Sequence, residues 1–374
     1  MAERSARLEV GGRELGPGSP CLVVAEAGSA HGGDLGRGLE LVAAAVEAGA
    51  GAVKFQIIFA DEIVHPRTGT ILLPGGEVPI YERFRALEQG EDFYARLKEA
   101  SEGRGALFLA SVFGPRSLRV LQRLGASAVK IASPELNHFP LLDLVAASEL
   151  PAILSTGVST LGDIERALAR LPLAALLHCV TAYPAPEGEY NLRLLPGLRA
   201  VFGLPVGVSD HSLDPLLVPC AAAALGACLV EKHLTLARVG GGLDDPIALE
   251  PAAFAAMTRG LKELEGLDGE AALARLSERF GRDRVEQVLG DGVKRLAPAE
   301  RGFYAATRRS LHARRDIPAG QPLGADDICI VRSERNLRPG LGPEHLQTVT
   351  GCVARRGIPA GEGILWEDLL TRGR

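Results

Sequence analysis

The stretch PAILSTGVSTLGDIERALARLPLAALLHC, residues 151–179, contains the unit from which the fold is predicted. It has two short apolar runs, 152–155 and 174–178, which are continuous rather than alternating, as in strands buried on both faces. Between them lies an amphipathic segment, 161–171, that is long enough for a helix. A strand, a helix and a second strand in this order predict parallel strands joined by a crossover helix.

The same unit repeats along residues 20–266. The predicted strands are 21–27, 52–56, 107–111, 128–132, 152–155, 174–178, 206–209 and 228–232, and the predicted helices are 36–48, 93–102, 115–124, 140–148, 161–171, 192–202, 215–225 and 251–264. Eight strand–helix units predict an α/β fold, a (β/α)8 TIM barrel. A doubly wound open sheet is the alternative, but no clear Gly-x-Gly-x-x-Gly follows a strand to support it.

The composition argues against a nucleic-acid-binding, membrane or secreted protein. The chain has 374 residues, with 41 Lys and Arg against 46 Asp and Glu and a net charge of −5, which argues against a nucleic-acid partner. No apolar run reaches the ~18 residues of a membrane helix, and the N-terminus lacks the apolar core of a signal peptide. Six scattered cysteines without a Cys-x-x-Cys are typical of reduced thiols. We therefore expect a cytoplasmic protein with no nucleic-acid or membrane partner.

Changes in composition and residue pattern along the chain predict its domain organisation. Residues 1–265 form the predicted barrel domain, in which the long connection 57–92 is expected to be a lid or an interface segment. Residues 266–305 are charged and helix-prone and predict a linker helix. Residues 306–374 are rich in turns, and Ile317-Pro318-Ala319-Gly320 recurs as Ile358-Pro359-Ala360-Gly361. This pattern predicts a small β module with an internal pseudo-repeat.

Polar residues stand at the ends of the predicted strands, where a TIM barrel has its active site. They are Glu26, Lys54, Gln56, Ser111, Lys130, Ser133, Glu135, Ser155, Thr156, His178, Thr181, Tyr183, Ser209, Asp210, His211, Glu231, Lys232 and His233. A whole ring of this kind is not a packed core, because unpaired buried charges cost several kcal/mol each. The ring therefore predicts a functional site.

Three sets of residues in the ring suggest chemistry. Lys54 and Lys130 either pair with carboxylates or, together with serine hydroxyls, bind a phosphate and a carboxylate; Lys130 alone could instead be a Schiff-base nucleophile. His211 and His233 end neighbouring strands and could bind a divalent metal. Glu231 or Asp210 is close to these histidines, whereas Glu26 and Glu135 are either acid–base groups or simple partners of the lysines.

The chain resembles the sialic acid synthase family, whose members condense phosphoenolpyruvate with an aldose. The matching motifs are Ala25-Glu26-x-Gly28-x-x-His31-x-Gly33-Asp34, Ala52-Val53-Lys54-Phe55-Gln56, Lys130-Ile131-Ala132-Ser133-x-Glu135, Ile153-Leu154-Ser155-Thr156-Gly157, Leu177-His178-Cys179-x-x-Ala182-Tyr183-Pro184, Gly207-x-Ser209-Asp210-His211, Glu231-Lys232-His233-x-Thr235 and Arg308-Arg309-Ser310-Leu311. The last motif opens the family's antifreeze-like (SAF) domain, a small β-clip, and the resemblance covers nearly the whole chain.

The resemblance implies a role for each residue of the site. Phosphoenolpyruvate would be held by Lys54, Ser111, Lys130, Ser133, Ser155 and Ser209, and Mn²⁺ or Mg²⁺ by His211 and His233. Glu135, Glu26 and Lys54 would be catalytic, and Gln56, Tyr183, Asp244 and an arginine of the SAF domain would face the sugar. Arg338 in Arg-Pro-Gly-x-Gly fits this arginine best, although an apparent insertion before it leaves Arg332 open. Family members form homodimers in which the SAF domain of one chain caps the barrel of the other.

Departures from the family pattern lie on the sugar side. They are Ala30-His31-Gly32-Gly33 for Asn-His-Asn-Gly, Val180-Thr181 for Thr-Ser or Thr-Asn, and Gly242-Leu243-Asp244-Asp245 with Ala248 for Gly-Pro-Asp-His with a later serine. The expected aldose is therefore N-acetylmannosamine-like, a di-N-acetylated deoxy sugar of the kind that leads to legionaminic or pseudaminic acids, or an aldose outside that set. Weak turnover of N-acetylmannosamine is predicted. A Schiff-base aldolase using Lys130 and a non-catalytic sugar-binding protein are the alternatives.

Overall fold

A computed structural model describes residues 5–73, 76–239 and 242–370 of the chain. Its strands are β1 Leu8–Val10, β2 Arg13–Leu15, β3 Leu22–Gly28, β4 Ala52–Gln56, β5 Thr70–Leu73, β6 Gly76–Pro79, β7 Leu107–Ser111, β8 Val129–Ile131, β9 Ala152–Ser155, β10 Ala174–Cys179, β11 Val206–Asp210, β12 Leu229–His233, β13 Arg309–Ala313, β14 Ile328–Arg332, β15 Val353–Ala354 and β16 Leu369–Leu370.

The helices alternate with the strands over most of the chain. They are α1 Leu35–Glu47, α2 Ile80–Arg85, α3 Glu91–Glu102, α4 Pro115–Arg123, α5 Phe139–Ala147, α6 Leu161–Leu168, α7 Leu194–Phe202, α8 Leu217–Ala224, α9 Pro251–Lys262, α10 Gly269–Phe280, α11 Arg282–Leu289, α12 Tyr304–Thr307 and α13 Leu346–Val349. Among the residues that the structure describes, no helix is long and apolar enough to cross a bilayer.

Eight parallel strands close into a barrel, which confirms the predicted fold. Their order around the barrel is β3, β4, β7, β8, β9, β10, β11 and β12, and β12 pairs again with β3. Each strand begins and ends within one residue of its predicted bounds. The order follows the chain because each strand is carried to the next position by a helix on the outside.

Local sequence explains where the barrel elements start and stop. Helix α6 begins after Thr160, whose hydroxyl accepts a hydrogen bond from the N–H of Asp163, while the Asp163 carboxylate accepts from the N–H of Thr160. Helix α7 ends at Gly203, which has the left-handed φ of 63° that favours glycine at this position. Strand β10 is buried along its whole length, as its continuous apolar sequence predicts.

The amino-terminal hairpin β1–β2 closes the end of the barrel opposite the carboxyl ends of the strands. Val10 and Leu15 are fully buried in one cluster with Leu22 and Leu229 from the barrel strands. The sequence did not predict this hairpin. Two strands of three residues each are too short to show a period-two pattern.

The segment 266–305 contains two helices, α10 and α11, where one linker helix was expected. Leu276 of α10 and Val288 of α11 are buried in the main hydrophobic core, and α10 packs against α8. The predicted domain boundaries at 265 and 305 stay predictions. The linker is thus packed onto the outside of the barrel for most of its length.

The carboxyl-terminal module repeats itself with an offset of 41 residues, the difference between Ile317 and Ile358. These two residues exchange both backbone hydrogen bonds, at 2.9 Å each. The N–H of Arg314 donates to the carbonyl of Asp327, and the N–H of Arg355 donates in the same way to Asp368, both at 2.8 Å. The predicted pseudo-repeat is therefore a real two-fold relation between the two halves.

We call residues 309–370 the cap, because they lie against the carboxyl ends of the barrel strands. Asn137, after β8, donates to the carbonyl of Arg309 at 2.8 Å and accepts from its N–H at 3.1 Å. The long connection after β4 contributes Thr68, whose hydroxyl donates to the carbonyl of Ser333 at 2.9 Å. Within this one chain, the cap therefore packs on its own barrel. The exchange of caps between two copies stays a prediction.

Candidate active site

A cavity of about 460 Å³ opens at the carboxyl ends of the barrel strands. The predicted site residues that line it are Glu26, Lys54, Gln56, Ser111, Lys130, Ser133, Ser155, Tyr183, Ser209, His211, His233 and Asp244. These residues come from different strands and the loops after them, and the closed barrel brings them together. The structure thus gathers most of the predicted ring around one space.

The two predicted lysines form one charge network with two carboxylates. Lys54 Nζ lies 2.5 Å from Glu26 Oε2 and 3.2 Å from the Ser111 hydroxyl. Glu231 lies between the lysines, since its Oε2 is 3.7 Å from Lys54 Nζ and its Oε1 is 3.7 Å from Lys130 Nζ. All four charged side chains are nearly fully buried, so their mutual pairing is what makes burial tolerable.

Burial and charge act in opposite directions on these groups. Burial raises the pKa of Glu26 to about 7, although Lys54 opposes the change. Burial also acts to raise the pKa of Glu231, but the ammonium groups of Lys130 and Lys54 outweigh burial and lower this pKa. Burial lowers the pKa of Lys130, whereas at Lys54 the carboxylates Glu231 and Glu26 overcome burial and raise the pKa. The two lysines are therefore not equivalent.

Serine hydroxyls surround the lysines. Lys130 Nζ donates to the Ser155 hydroxyl at 2.6 Å, and the Ser209 hydroxyl donates to Glu231 at 2.9 Å. The Ser133 hydroxyl accepts from the N–H of Gly157 at 3.0 Å, which links the loops after β8 and β9. Ammonium groups with adjacent hydroxyls form a set suited to a small anion with phosphate and carboxylate groups.

The histidines form the opposite side of the cavity. The ring centroids of His211 and His233 are 5.4 Å apart, and the Tyr183 ring stacks on His211 at 4.3 Å. His211 Nδ1 is 2.9 Å from the Val180 carbonyl, and His233 Nδ1 is 3.7 Å from Asp244 Oδ2. Because the Val180 carbonyl accepts from Nδ1, Nε2 of His211 is left for another ligand.

The residues present fit a divalent metal held by two imidazoles. Within the described ranges, no group of three or more His, Cys, Asp or Glu side chains has the arrangement of a metal site. The protein ligands of a metal at this site would therefore be the two histidines. Burial and the neighbouring His211 lower the pKa of His233 well below its usual value, and a neutral imidazole is the form that binds metal. At His211 burial acts to lower the pKa, but Cys179 and the Val180 carbonyl raise it to about 9, so a metal would bind Nε2 of this ring with release of its proton.

Glu135 is not among the residues that line the cavity. It is fully buried and paired with two cap arginines, Arg309 and Arg332, the second at 2.5 Å. Burial acts to raise its pKa, but the two guanidinium groups prevail and lower it. Glu135 therefore connects the barrel to the cap in this structure.

Arg338 lies outside the cavity, where it pairs with Asp368 at 3.0 Å and Glu367 at 3.2 Å. Arg332, the alternative that the sequence left open, lines the cavity together with Arg335. Arg335, which lies between Arg332 and Arg338 in the sequence, was not predicted to reach the cavity. Its place at the cavity depends on how the cap docks, so no local sequence signal could have identified it.

Other cavity residues come from segments that sequence reasoning did not assign to the site. Phe84 belongs to α2 in the long connection, and Phe303 and Thr307 belong to the segment before the cap. Glu231 was predicted as a carboxylate close to the two histidines, but its pairing with both lysines was not predicted, although its place at a strand end was a usable signal. The expectation that the long connection is a lid or interface segment agrees with Phe84 at the cavity and Thr68 against the cap.

Comparison with known proteins gives the family. The model of the NeuB family matches residues 41–272, and the model of the SAF domain matches residues 308–370. The chain belongs to the NeuB family. The first match includes most of the strand-end residues of the cavity, and the second includes both arginines of the cap that line it.

Relatives of this NeuB-family chain carry several names. It is 33% identical over 375 residues to the spore coat polysaccharide biosynthesis protein SpsE of Bacillus subtilis, with 98% of each chain covered. The crystal structure of that protein matches with a TM-score of 0.83 and 32% identity, covering 98% of this chain and 100% of the other. The N,N'-diacetyllegionaminic acid synthase of Legionella pneumophila is 32% identical over 369 residues, covering 95% and 96%. The structure of the N-acetylneuraminic acid synthetase of Leptospira borgpetersenii matches with a TM-score of 0.63 and 31% identity, covering 75% and 100%.

Proposed function

We propose that this chain joins phosphoenolpyruvate to an open-chain aldose, giving a 2-keto-3-deoxy sugar acid and inorganic phosphate. The observation that carries the proposal is the pair of buried ammonium groups, Lys54 and Lys130, set among serine hydroxyls at the strand ends. Such a set suits the phosphate and the carboxylate of one small molecule. Relatives named as synthases of N,N'-diacetyllegionaminic acid and N-acetylneuraminic acid support the general reaction. Because phosphoenolpyruvate is a cytoplasmic metabolite, we assign the reaction to the cytoplasm.

The proposed reaction forms one carbon–carbon bond and breaks one carbon–oxygen bond. C3 of phosphoenolpyruvate bonds to the aldehyde carbon, and the aldehyde oxygen takes up a proton to become a hydroxyl. Water adds to the cation left at C2 and loses one proton. The bond from C2 to the phosphate oxygen then breaks, and the remaining hydroxyl proton passes to the departing phosphate, which leaves the keto group. Glu26 can hold or release a proton near neutral pH, because burial raises its pKa to about 7.

The remaining residues bind and orient. Lys54 stays charged to hold the anion, because Glu231 and Glu26 raise its pKa. His211 and His233 would hold Mn²⁺ or Mg²⁺, which when bound polarises the carbonyl of the aldehyde. We assign the acid–base work to Glu26 rather than to Glu135, since Glu135 is held by two guanidinium groups. The sugar-contacting role of Arg338 stays a prediction.

For the aldose we propose a di-N-acetylated deoxy sugar rather than N-acetylmannosamine. Thr181 and Leu243, two positions that depart from the family pattern, line the cavity. Phe84 and Phe303 add apolar surface to the cavity, which suits the methyl groups of acyl substituents. The difference between the acids named for the two synthase relatives agrees with an acceptor side that varies within the family.

Phosphate release from phosphoenolpyruvate tests the proposal. We expect release that requires both an aldose and Mn²⁺, is abolished by a chelator, and is faster with a di-N-acetylated deoxy sugar than with N-acetylmannosamine. The variant Lys54→Met should release no phosphate. Release without an aldose, or equal turnover of N-acetylmannosamine, would contradict the corresponding part of the proposal.

A Schiff-base aldolase is the second candidate, because burial lowers the pKa of Lys130. In that reaction Lys130 would form a covalent imine with pyruvate and would need no metal. Borohydride reduction in the presence of pyruvate, followed by mass spectrometry, would detect the adduct on Lys130. We expect no adduct, because Glu231 and Ser155 hold the ammonium group in an ion pair and a hydrogen bond.

A further inference from the structure

Glu300 is a buried carboxylate in the segment between α11 and the cap. It ends the short 3-10 turn Pro298–Glu300, and its side chain is 1% exposed. Oε1 accepts from the N–H of Val158 at 2.7 Å and from the N–H of Thr181 at 2.8 Å, while Oε2 accepts from the N–H of Ala297 at 3.1 Å. One oxygen of Glu300 therefore joins the loops after β9 and β10.

The contact with Thr181 reaches His211 through a single peptide group. The N–H of that group belongs to Thr181 and donates to Glu300, and its carbonyl belongs to Val180 and lies 2.9 Å from His211 Nδ1. Hydrogen bonds in a chain polarise one another, so a carboxylate on the N–H end makes the carbonyl a stronger acceptor. A stronger acceptor holds the proton on Nδ1 and directs Nε2 to a ligand.

The contact with Val158 stabilises an unfavourable backbone conformation. Val158 has a φ of 41°, in the left-handed region that β-branched residues rarely adopt. The loop that contains it follows Ser155, which bonds Lys130, and includes Gly157, which bonds Ser133. The same carboxylate thus stabilises loops on the lysine side and on the histidine side of the cavity.

A lysine in the same segment, Lys294, interacts electrostatically with Glu300 without forming a direct ion pair. A buried carboxylate is costly unless it is hydrogen-bonded and compensated. Lys294 donates to the carbonyl of Thr156 at 3.1 Å, and Glu300 counteracts the lowering of its pKa by burial. The nearby ammonium group and three N–H donors together compensate the Glu300 carboxylate in the interior.

We propose that Glu300 is a positioning residue, which orients His211 for metal binding through the peptide group between Val180 and Thr181. Glu300 does not line the cavity and touches no reacting atom. The metal in this statement rests on the proposed function, whereas the orientation of the imidazole rests on the hydrogen bonds alone.

Mn²⁺ binding to the full-length variant Glu300→Gln tests the proposal, with Glu189→Gln as the matched control. Glu189 accepts from the N–H of Ala299 at 2.9 Å, so it holds the same turn without touching the peptide group at Thr181. A glutamine side chain has one acceptor oxygen and no charge, so it cannot replace the carboxylate. We expect the dissociation constant for Mn²⁺ to rise roughly 10-fold in Glu300→Gln and to stay near the wild-type value in the control. A lower melting temperature of Glu300→Gln with unchanged Mn²⁺ affinity would show a merely structural role and overturn the proposal.

A second measurement needs no metal. In metal-free protein with labelled histidine, the Nδ1 proton resonance of His211, assigned with His211→Gln, reports the strength of its hydrogen bond to Val180. We expect this resonance to shift in Glu300→Gln and not in Glu189→Gln, and no shift would overturn the proposal. If the wild-type protein bound no Mn²⁺, the metal part of the proposed function would fail, and this resonance would still decide the role of Glu300.

Discussion

Glu26 and Glu231 illustrate how single residues set the state of the cavity. Each carboxylate is within 4 Å of Lys54, yet burial and charge raise the pKa of one and lower that of the other. The difference arises because Glu231 faces two ammonium groups and Glu26 faces one. A carboxyl group that titrates near neutral pH is thus placed next to one that stays ionised.

The raised pKa of Glu26 predicts a pH dependence of stability. The folded-state pKa of about 7 is above the ordinary glutamate pKa of 4.5, so the folded protein holds the proton more tightly than the unfolded chain. The contribution of Glu26 to stability is then full below pH 4.5 and is lost as the pH rises through 7, with a slope of at most about 1.4 kcal/mol per pH unit. Urea unfolding of the wild type and Glu26→Gln at pH 5 to 8 should show the free energy of the wild type falling relative to the variant. Parallel profiles would contradict the prediction.

The sequence located the strand-end residues because position in a barrel strand determines where a side chain points. Lys54, Lys130 and His233 could be placed at the cavity from the strand pattern alone. From the sequence alone, Glu135 could not be distinguished from the cavity residues. Its partners Arg309 and Arg332 are far away in the sequence, and only the folded structure brings them to it. Long-range docking of this kind leaves no periodic trace in the sequence.

At the scale of elements, the hairpin β1–β2 is the part of the barrel domain that pattern reasoning missed. The barrel strands were predicted within one residue because their apolar runs are long and bounded by helices. The hairpin has no such run, and its role appears only in packing, where Val10 and Leu15 cover the barrel end. Short elements of this kind are stabilised mainly by their tertiary contacts rather than by local propensity.

We predict that truncating a buried side chain of the hairpin lowers the stability of the protein without changing its activity. Leu15 is 1% exposed, so Leu15→Ala should lower the free energy of unfolding by about 2–5 kcal/mol through loss of contacts and a residual cavity. Because Leu15 lies at the opposite end of the barrel from the cavity, the folded variant should release phosphate at the wild-type rate. Urea unfolding and the phosphate assay at low temperature measure the two effects. A large loss of rate in fully folded protein would show that the two ends are coupled.

At the scale of the whole molecule, the barrel and the cap share one buried ion cluster. Glu135 of the barrel is held by Arg309 and Arg332 of the cap, and all three side chains are buried or nearly so. Arg332 also lines the cavity, so the closure of the site and the docking of the cap depend on the same side chain. Removing one partner of such a cluster leaves an uncompensated buried charge.

A mixing experiment decides whether the cap serves its own barrel or that of a second copy. We combine Lys130→Met, which has a defective cavity, with Arg332→Ala, which has a defective cap, after unfolding and refolding them together. If the cap acts within its own chain, as the contacts of Arg309 and Arg332 indicate, the mixture should stay inactive. Recovery of phosphate release in the mixture would instead establish the exchanged homodimer expected from the family resemblance.

The internal two-fold relation of the cap has a consequence for how this protein can diversify. The duplicated parts, 313–329 and 354–370, hold each other through paired backbone hydrogen bonds. Arg332 and Arg335 lie in the stretch that joins them, outside the symmetry. Insertions there leave both halves of the duplication intact. Natural selection can therefore alter the lining of the cavity by lengthening or shortening this connection, without redesigning either repeat or the barrel.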